Sequence, residues 1–138
     1  MRHLSDMICN QAPLVMPHQT TVQAACDQMG RRKIGSVLVT DETGKLAGIF
    51  TGRDAVRRVL AAGRSGETKL REVMTAAPVT MTPEMTAIDA LRLMWDGGFR
   101  HVPLVQDGKI LGVISRGDFQ NDEQLRLDEE RQLWEHLR

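Results

Sequence analysis

Cysteine is nearly missing from this chain. Cys9 and Cys26 are the only two in 138 residues, too few for a disulfide framework or a zinc knuckle, and both are read as reduced thiols. Long apolar runs are missing as well. No stretch approaches the roughly 20 residues needed to cross a bilayer, and Met1-Arg2-His3-Leu4-Ser5-Asp6 lacks the apolar centre of a signal peptide, so the expected location is cytoplasmic. Neither sign of charge is in excess: 18 Lys plus Arg balance 18 Asp plus Glu, which argues against a nucleic-acid polymer or an anionic membrane as partner. His3, His18, His101 and His136 follow no metal-ligand spacing, so no metal is expected. No Gly-x-Ser-x-Gly, His-Glu-x-x-His or Walker pattern occurs, and the chain is read as noncatalytic.

What is present is an ordinary globular composition, 41% hydrophobic and 26% charged, with length for one domain or two very small ones. Arg outnumbers Lys by 14 to 4, and Arg is the residue suited to planar recognition of phosphate or carboxylate. The chain also repeats itself. Ala12-Pro13 matches Ala77-Pro78, Met16 matches Met81, Ala25 matches Ala90, Met29 matches Met94 and Val37 matches Val102, all at one offset. After a one-residue deletion, Gly44-Lys45-Leu46-Ala47-Gly48-Ile49-Phe50-Thr51 matches Gly108-Lys109-Ile110-Leu111-Gly112-Val113-Ile114-Ser115, and Asp54 matches Asp118.

Each half predicts the same elements. A short extended piece (residues 14–16; 79–81) precedes a helix over about 21–32 and 86–96. Val22, Ala25, Cys26 and Met29, and likewise Ala87, Ala90, Leu91 and Met94, recur at the spacing of one helix face. Two apolar runs follow in each half, 36–39 with 46–50 and 102–105 with 110–114, and Asp107-Gly108 between the second pair is a strong hairpin signal. A second helix is expected over 54–62 and from about Phe119 onward. The result is β-α-β-β-α twice, an α/β (α+β) fold. Half the chain alone would bury only about 60% of its extended surface, so the two halves are expected to pack face to face. The expected division is 4–64 and 70–122 for the repeats, 65–69 for a polar connector and 123–138 for a C-terminal helix. In that tail Leu133, Trp134 and Leu137 form a stripe at helical spacing, which either packs on its own module or meets a second copy.

The feature that carries chemistry is Gly48-Ile49-Phe50-Thr51-Gly52-Arg53-Asp54 and its copy Gly112-Val113-Ile114-Ser115-Arg116-Gly117-Asp118. A hydroxyl residue followed three later by an acid, where a strand gives way to a helix, is first of all a capping box. Other observations point past a cap. The Gly before the apolar pair lets a ligand approach the backbone, a helix start offers free N–H groups to an anion, and an ionised Asp accepts hydrogen bonds from a ribose diol. Arg53 and Arg116 stand beside the hydroxyl residue, where a phosphate would be. Sugar, phosphate and an apolar wall together suggest a nucleotide. Arg31-Arg32-Lys33 and Arg57-Arg58 read as solvated faces, and the eight Met as core filler.

With the duplicated motif and Phe99-Arg100-His101-Val102-Pro103-Leu104-Val105-Gln106-Asp107-Gly108-Lys109, the sequence resembles a tandem pair of CBS domains, the Bateman module, over about residues 4–122. The resemblance implies a regulatory sensor that binds AMP, ADP, ATP, NAD(H) or an S-adenosyl ligand in clefts between its domains, needs no further cofactor, and pairs as a homodimer. It implies that Asp54 and Asp118 hold ribose hydroxyls, that Thr51 and Ser115 touch ribose or phosphate, that Val37, Val102 and Pro103 wall the adenine, and that Arg100 and His101 meet phosphate. The first half departs from the pattern: Gly35-Ser36 stands in place of Arg100-His101 and Leu38 in place of Pro103, so the site centred on Asp118 is the stronger expectation. The alternative is a protein–protein interaction adaptor with no physiological nucleotide, its boxes serving only as caps.

Overall fold

The computed structural model describes residues 1–137. In chain order the elements are α1 (Leu4–Met7), β1 (Val15–Pro17), α2 (Val22–Arg32), β2 (Ser36–Thr40) and β3 (Leu46–Thr51). Helix α3 opens over Gly52–Asp54 and continues as a π-helical stretch over Ala55–Leu60; α4 (Leu70–Val73), β4 (Thr75–Ala76) and α5 (Ala87–Gly97) follow. The chain ends with β5 (His101–Gln106), β6 (Lys109–Ser115), a 3-10 turn at Arg116–Asp118, and α6 (Asn121–Leu137). The fold is mixed α+β, with a four-stranded sheet in the order β1-β2-β3-β4 and a two-stranded sheet of β5 and β6.

The local causes are those the sequence advertises. Helix α2 starts because Thr21 accepts a hydrogen bond from Ala24 N–H at 3.2 Å, buries Val22, Ala25 and Met29, and stops where Lys33 turns into the left-handed region. Helix α5 starts on a full capping box, Thr86 with Asp89, and stops at left-handed Gly98. At the β5–β6 turn both Asp107 and Gly108 have positive φ, as a tight two-residue hairpin demands. In the other hairpin Asp41 Oδ1 accepts from the backbone of Thr43 and Lys45 and from the Thr43 hydroxyl, closing the turn through its side chain.

The duplication is visible in the register. Met16 on β1 pairs with Val39 on β2, while Met81 forms a parallel bridge to Leu104. The second copy of β1, expected over 79–81, is reduced to that single bridge. Val22 N–H donates to Thr68 O at 2.8 Å in one repeat and Ala87 N–H to Arg2 O at 2.9 Å in the other.

Contacts divide the described residues into two compact units: residues 1–11, 80–106 and 111–137 in one, residues 12–79 and 107–110 in the other. Each has its own core. Leu4, Ala87, Leu91, Met94, Val102, Leu104 and Ile114 cluster in the first, and Val22, Val37, Val39, Phe50, Leu70 and Val73 in the second. Leu4 and Leu70 are both fully buried and come from the short helices α1 and α4. Each unit therefore takes its short helix from the segment that precedes the other repeat. At the helical ends one of the two alternatives for the tail stripe is removed and one helix boundary shifts from its expected place. The last turns of α6 leave Leu133, Trp134 and Leu137 exposed, with Trp134 at 67%, so the stripe does not pack on its own module. The helix after β3 begins at Gly52, before Asp54, and its π-helical stretch is seen in the bonds from Ala61 N–H to Val56 O and from Arg64 N–H to Val59 O.

Candidate functional site

The two hydroxyl–acid motifs fold into the same local device. In the first repeat the Asp54 Oδ2 accepts from Thr51 N–H at 3.0 Å and from the Thr51 hydroxyl at 3.1 Å, while Thr51 Oγ1 accepts from Asp54 N–H at 3.2 Å. In the second, Asp118 Oδ2 accepts from Ser115 N–H at 2.8 Å and from the Ser115 hydroxyl at 3.1 Å. The residue after each hydroxyl is anchored alike, Gly52 N–H to Gly35 O at 3.1 Å and Arg116 N–H to Arg100 O at 2.9 Å. These two backbone bonds confirm the pairing of Gly35 with Arg100 made from sequence, and they tie Arg100 directly to the box of Ser115, Arg116 and Asp118.

The boxes differ in which carboxylate oxygens are engaged. Asp54 is occupied on both oxygens, because Arg58 Nε lies 3.5 Å from Oδ1, and its side chain is only 13% exposed. The Arg58 Nη1 also donates to the carbonyls of Val73 and Met74, at 3.2 and 3.1 Å. Asp118 is exposed, and its Oδ1 accepts no hydrogen bond among the described residues. Its turn is held from behind by Arg2, which donates to Asp118 O at 3.1 Å and forms an ion pair with Glu123 at 2.6 Å. Glu123 is buried. Burial works to raise its pKa, but the hydrogen bonds from Arg2 and from Gln120 N–H, with the charge of Arg2, hold it below the usual carboxylate range.

The remaining sequence candidates fall into two groups. Arg53 and Arg100 are exposed, and His101 is half-buried at the start of β5. Arg116 is half-buried, its guanidinium 5.3 Å from the ring centroid of Trp95. Val37, Val102 and Pro103 are fully buried, Val37 and Val102 as members of the two cores. The glycines ahead of the apolar pairs are approached by the chain itself. A Cβ on Gly48 would stand 2.5 Å from the Met74 sulfur and 2.8 Å from Thr75 O, and one on Gly112 would stand 2.6 Å from Gln11 Oε1 and 2.9 Å from Ile8. Close packing of a neighbouring segment is thus a sufficient reason for both.

Sequence reasoning did not find Gln11, Trp95, Arg2 or Arg58. Gln11 is the plainest case. Its side-chain amide donates to Val113 O and accepts from Val113 N–H, both at 2.7 Å. The corresponding bonds in the first repeat come from main chain, β4 pairing with Gly48 and Ile49. A side chain imitating a strand leaves no periodicity to read. Among the described residues no group of three His, Cys, Asp or Glu is placed to hold a metal ion, and no helix is long and apolar enough to cross a membrane.

Comparison with known proteins agrees with the duplicated geometry. The CBS-domain family profile matches twice, over residues 4–61 and 70–121. The CBS domain-containing protein YhcV of Bacillus subtilis (strain 168) is 34% identical over 118 residues, 86% of this chain and 83% of that protein. CBSCBSPB3 of Arabidopsis thaliana is 38% identical over 102 residues, 73% of this chain but only 18% of the relative, so the chain spans under a fifth of that protein's length. Among solved structures, the CBS-domain containing protein ATU1752 of Agrobacterium tumefaciens superposes with a TM-score of 0.77 at 31% identity, covering 84% of this chain and 89% of that one. Two more distant likenesses speak to the fold alone: PAE2072 of Pyrobaculum aerophilum, solved with AMP (TM-score 0.82, 20% identity, 92% of this chain and 98% of that one), and the MJ0100 pair, solved with 5′-methylthioadenosine and S-adenosyl-L-methionine (TM-score 0.74, 23% identity, 84% and 94%).

Proposed function

The chain belongs to the CBS-domain family, and we propose that it is a noncatalytic regulatory pair of CBS repeats that binds an adenosine-containing ligand: AMP, ADP, ATP, NAD(H) or an S-adenosyl compound. One observation carries the reading. In the second repeat Asp118 is exposed and, among the described residues, the Ser115–Asp118 box leaves its Oδ1 without a hydrogen bond, with the backbone of Arg100 tied to that of Arg116 beside it. A carboxylate oxygen suits a ribose diol and two guanidinium groups suit a phosphate. That related CBS structures hold AMP or S-adenosyl-type molecules supports the ligand class. In the first repeat Asp54 is closed by Thr51 and Arg58, and no basic pair stands at Gly35-Ser36, so its box acts as a cap. The second repeat is the primary site.

The molecule acts in the cytoplasm as a homodimer that signals to a regulated protein partner by a change of conformation or assembly. Val56 and Leu60 on α3 are exposed among Arg53 and Arg57, while Leu133 and Leu137 on α6 are exposed among Glu129 and Glu135. Apolar residues framed by opposite charges support association of α3 in one copy with α6 in another. A ligand drives such a system only by binding one state better than the other. Isothermal titration of nucleotide-free protein with AMP, ATP, NADH and S-adenosylmethionine tests the reading. Heat with at least one of them is expected, with affinity lost in Asp118→Ala and kept in Asp54→Ala. No heat with any of them removes the proposal and leaves the interaction adaptor.

A further inference from the structure

Trp95, near the end of α5, is shared by two guanidinium groups. Cζ of Arg131 on α6 lies 4.3 Å from the ring centroid and that of Arg116 lies 5.3 Å from it. Arg116 belongs to the box itself, directly after Ser115. Its Nε is buried and, among the described residues, is the one buried side-chain nitrogen or oxygen without a hydrogen-bond partner. The pose over Trp95 therefore supplies attraction to the ring face but withholds the hydrogen bond that burial makes costly to forgo. Arg131 on the same ring adds repulsion between like charges. A phosphate oxygen offers what is missing, a charged acceptor for the guanidinium fork.

We propose that Trp95 is a specificity-determining residue of the second repeat's site: it holds Arg116 away from the ligand and so sets how strongly the site favours phosphate-bearing over neutral adenosine compounds. The inference rests on the reading that the Ser115–Asp118 box binds an adenosine ligand. While Arg116 is held on the ring, only the remaining fraction of molecules offers it to an anion, and apparent affinity for the anion falls by that fraction. Adenosine, which has no phosphate, is indifferent to where Arg116 stands.

The test is titration of the nucleotide-free full chain with AMP, ATP and adenosine, in the wild type and in Trp95→Leu, Arg116→Met and the double variant. Trp95→Leu is expected to tighten AMP and ATP binding by about two- to fivefold, the size of an exposed cation–π contact, and to leave adenosine unchanged. Arg116→Met is expected to weaken the phosphate-bearing ligands, and Trp95→Leu to add nothing in its background. An unchanged AMP and ATP affinity in Trp95→Leu, an equal gain for adenosine, or a gain that survives Arg116→Met overturns the inference while the binding reading stands. A wild type that binds none of the adenosine ligands removes both. Trp95 is 45% exposed, so Trp95→Leu is expected to fold. Trp95→Gln, equally free of a ring, serves as the second variant and must show the same selective gain.

Discussion

Leu4→Ala tests the most consequential feature of the packing. By sequence position Leu4 leads the first repeat, yet it is fully buried in a cluster with Ala87, Leu91, Met94 and Leu104, all from the second. Removing a fully buried leucine side chain costs about 3 kcal/mol, from lost burial and from the cavity left behind. At 1.4 kcal/mol per factor of ten, that is on the order of a hundredfold more opening of the affected unit. Native-state hydrogen exchange read by mass spectrometry resolves where the opening occurs. The expected result is faster exchange of amides in α5, β5 and β6, with β2 and β3 little changed. Leu70→Ala, whose side chain is buried with Val22, Val37 and Phe50, is expected to give the mirror image. Acceleration in Leu4→Ala that is greatest in β2 and β3, or equal everywhere, would refute the assignment of α1 to the second repeat's core.

Two further expectations concern caps and acid. Thr51→Ala and Ser115→Ala should each lower stability by about 1 kcal/mol in urea unfolding, the ordinary loss of a cap; nucleotide affinity should fall for Ser115→Ala only, and an equal fall in Thr51→Ala would contradict the reading of the first box as structural. Glu123, held below its ordinary 4.5 in the folded state against the effect of burial, adds stability above that value and loses it as pH falls through the lower folded value. Tm should therefore drop as pH falls below about 4.5, and Glu123→Gln should lower Tm at neutral pH and flatten the acid slope; an unchanged slope in circular dichroism melts would show that the Arg2 pair contributes nothing.

How much of this was legible in the residues follows from the range of each cause. Helices α2 and α5 were readable because capping by Thr21 and Thr86 and the apolar spacing behind them act within a dozen residues. The hairpins were readable from turn chemistry, and the two boxes from their recurrence in register. Helices α1 and α4 were not, since a single turn shows no period and its one informative residue, Leu4 or Leu70, finds its partners far away in sequence. The stripe at Leu133, Trp134 and Leu137 shows the limit of periodicity, which tells which residues share a face and not what the face meets. The inequality of the two boxes was half legible: the absent basic pair at Gly35-Ser36 is written in the sequence, whereas Arg58 closing on Asp54 depends on where a π-helical stretch sets a side chain. Trp95 carried no motif at all, and only the geometry of α5 against the turn after β6 and against α6 shows its two cations.

The Asp118 carboxylate is already oriented by its own backbone, because Ser115 fixes Oδ2 when the chain folds. Whatever meets Oδ1 finds an oxygen whose rotamer is settled, so little freedom is left to lose on association. On the proposed ligand reading, the bonds that close the turn also prearrange the contact, and a substitution chosen to loosen the helix start would blur recognition through entropy, without touching the Oδ1 assigned to it.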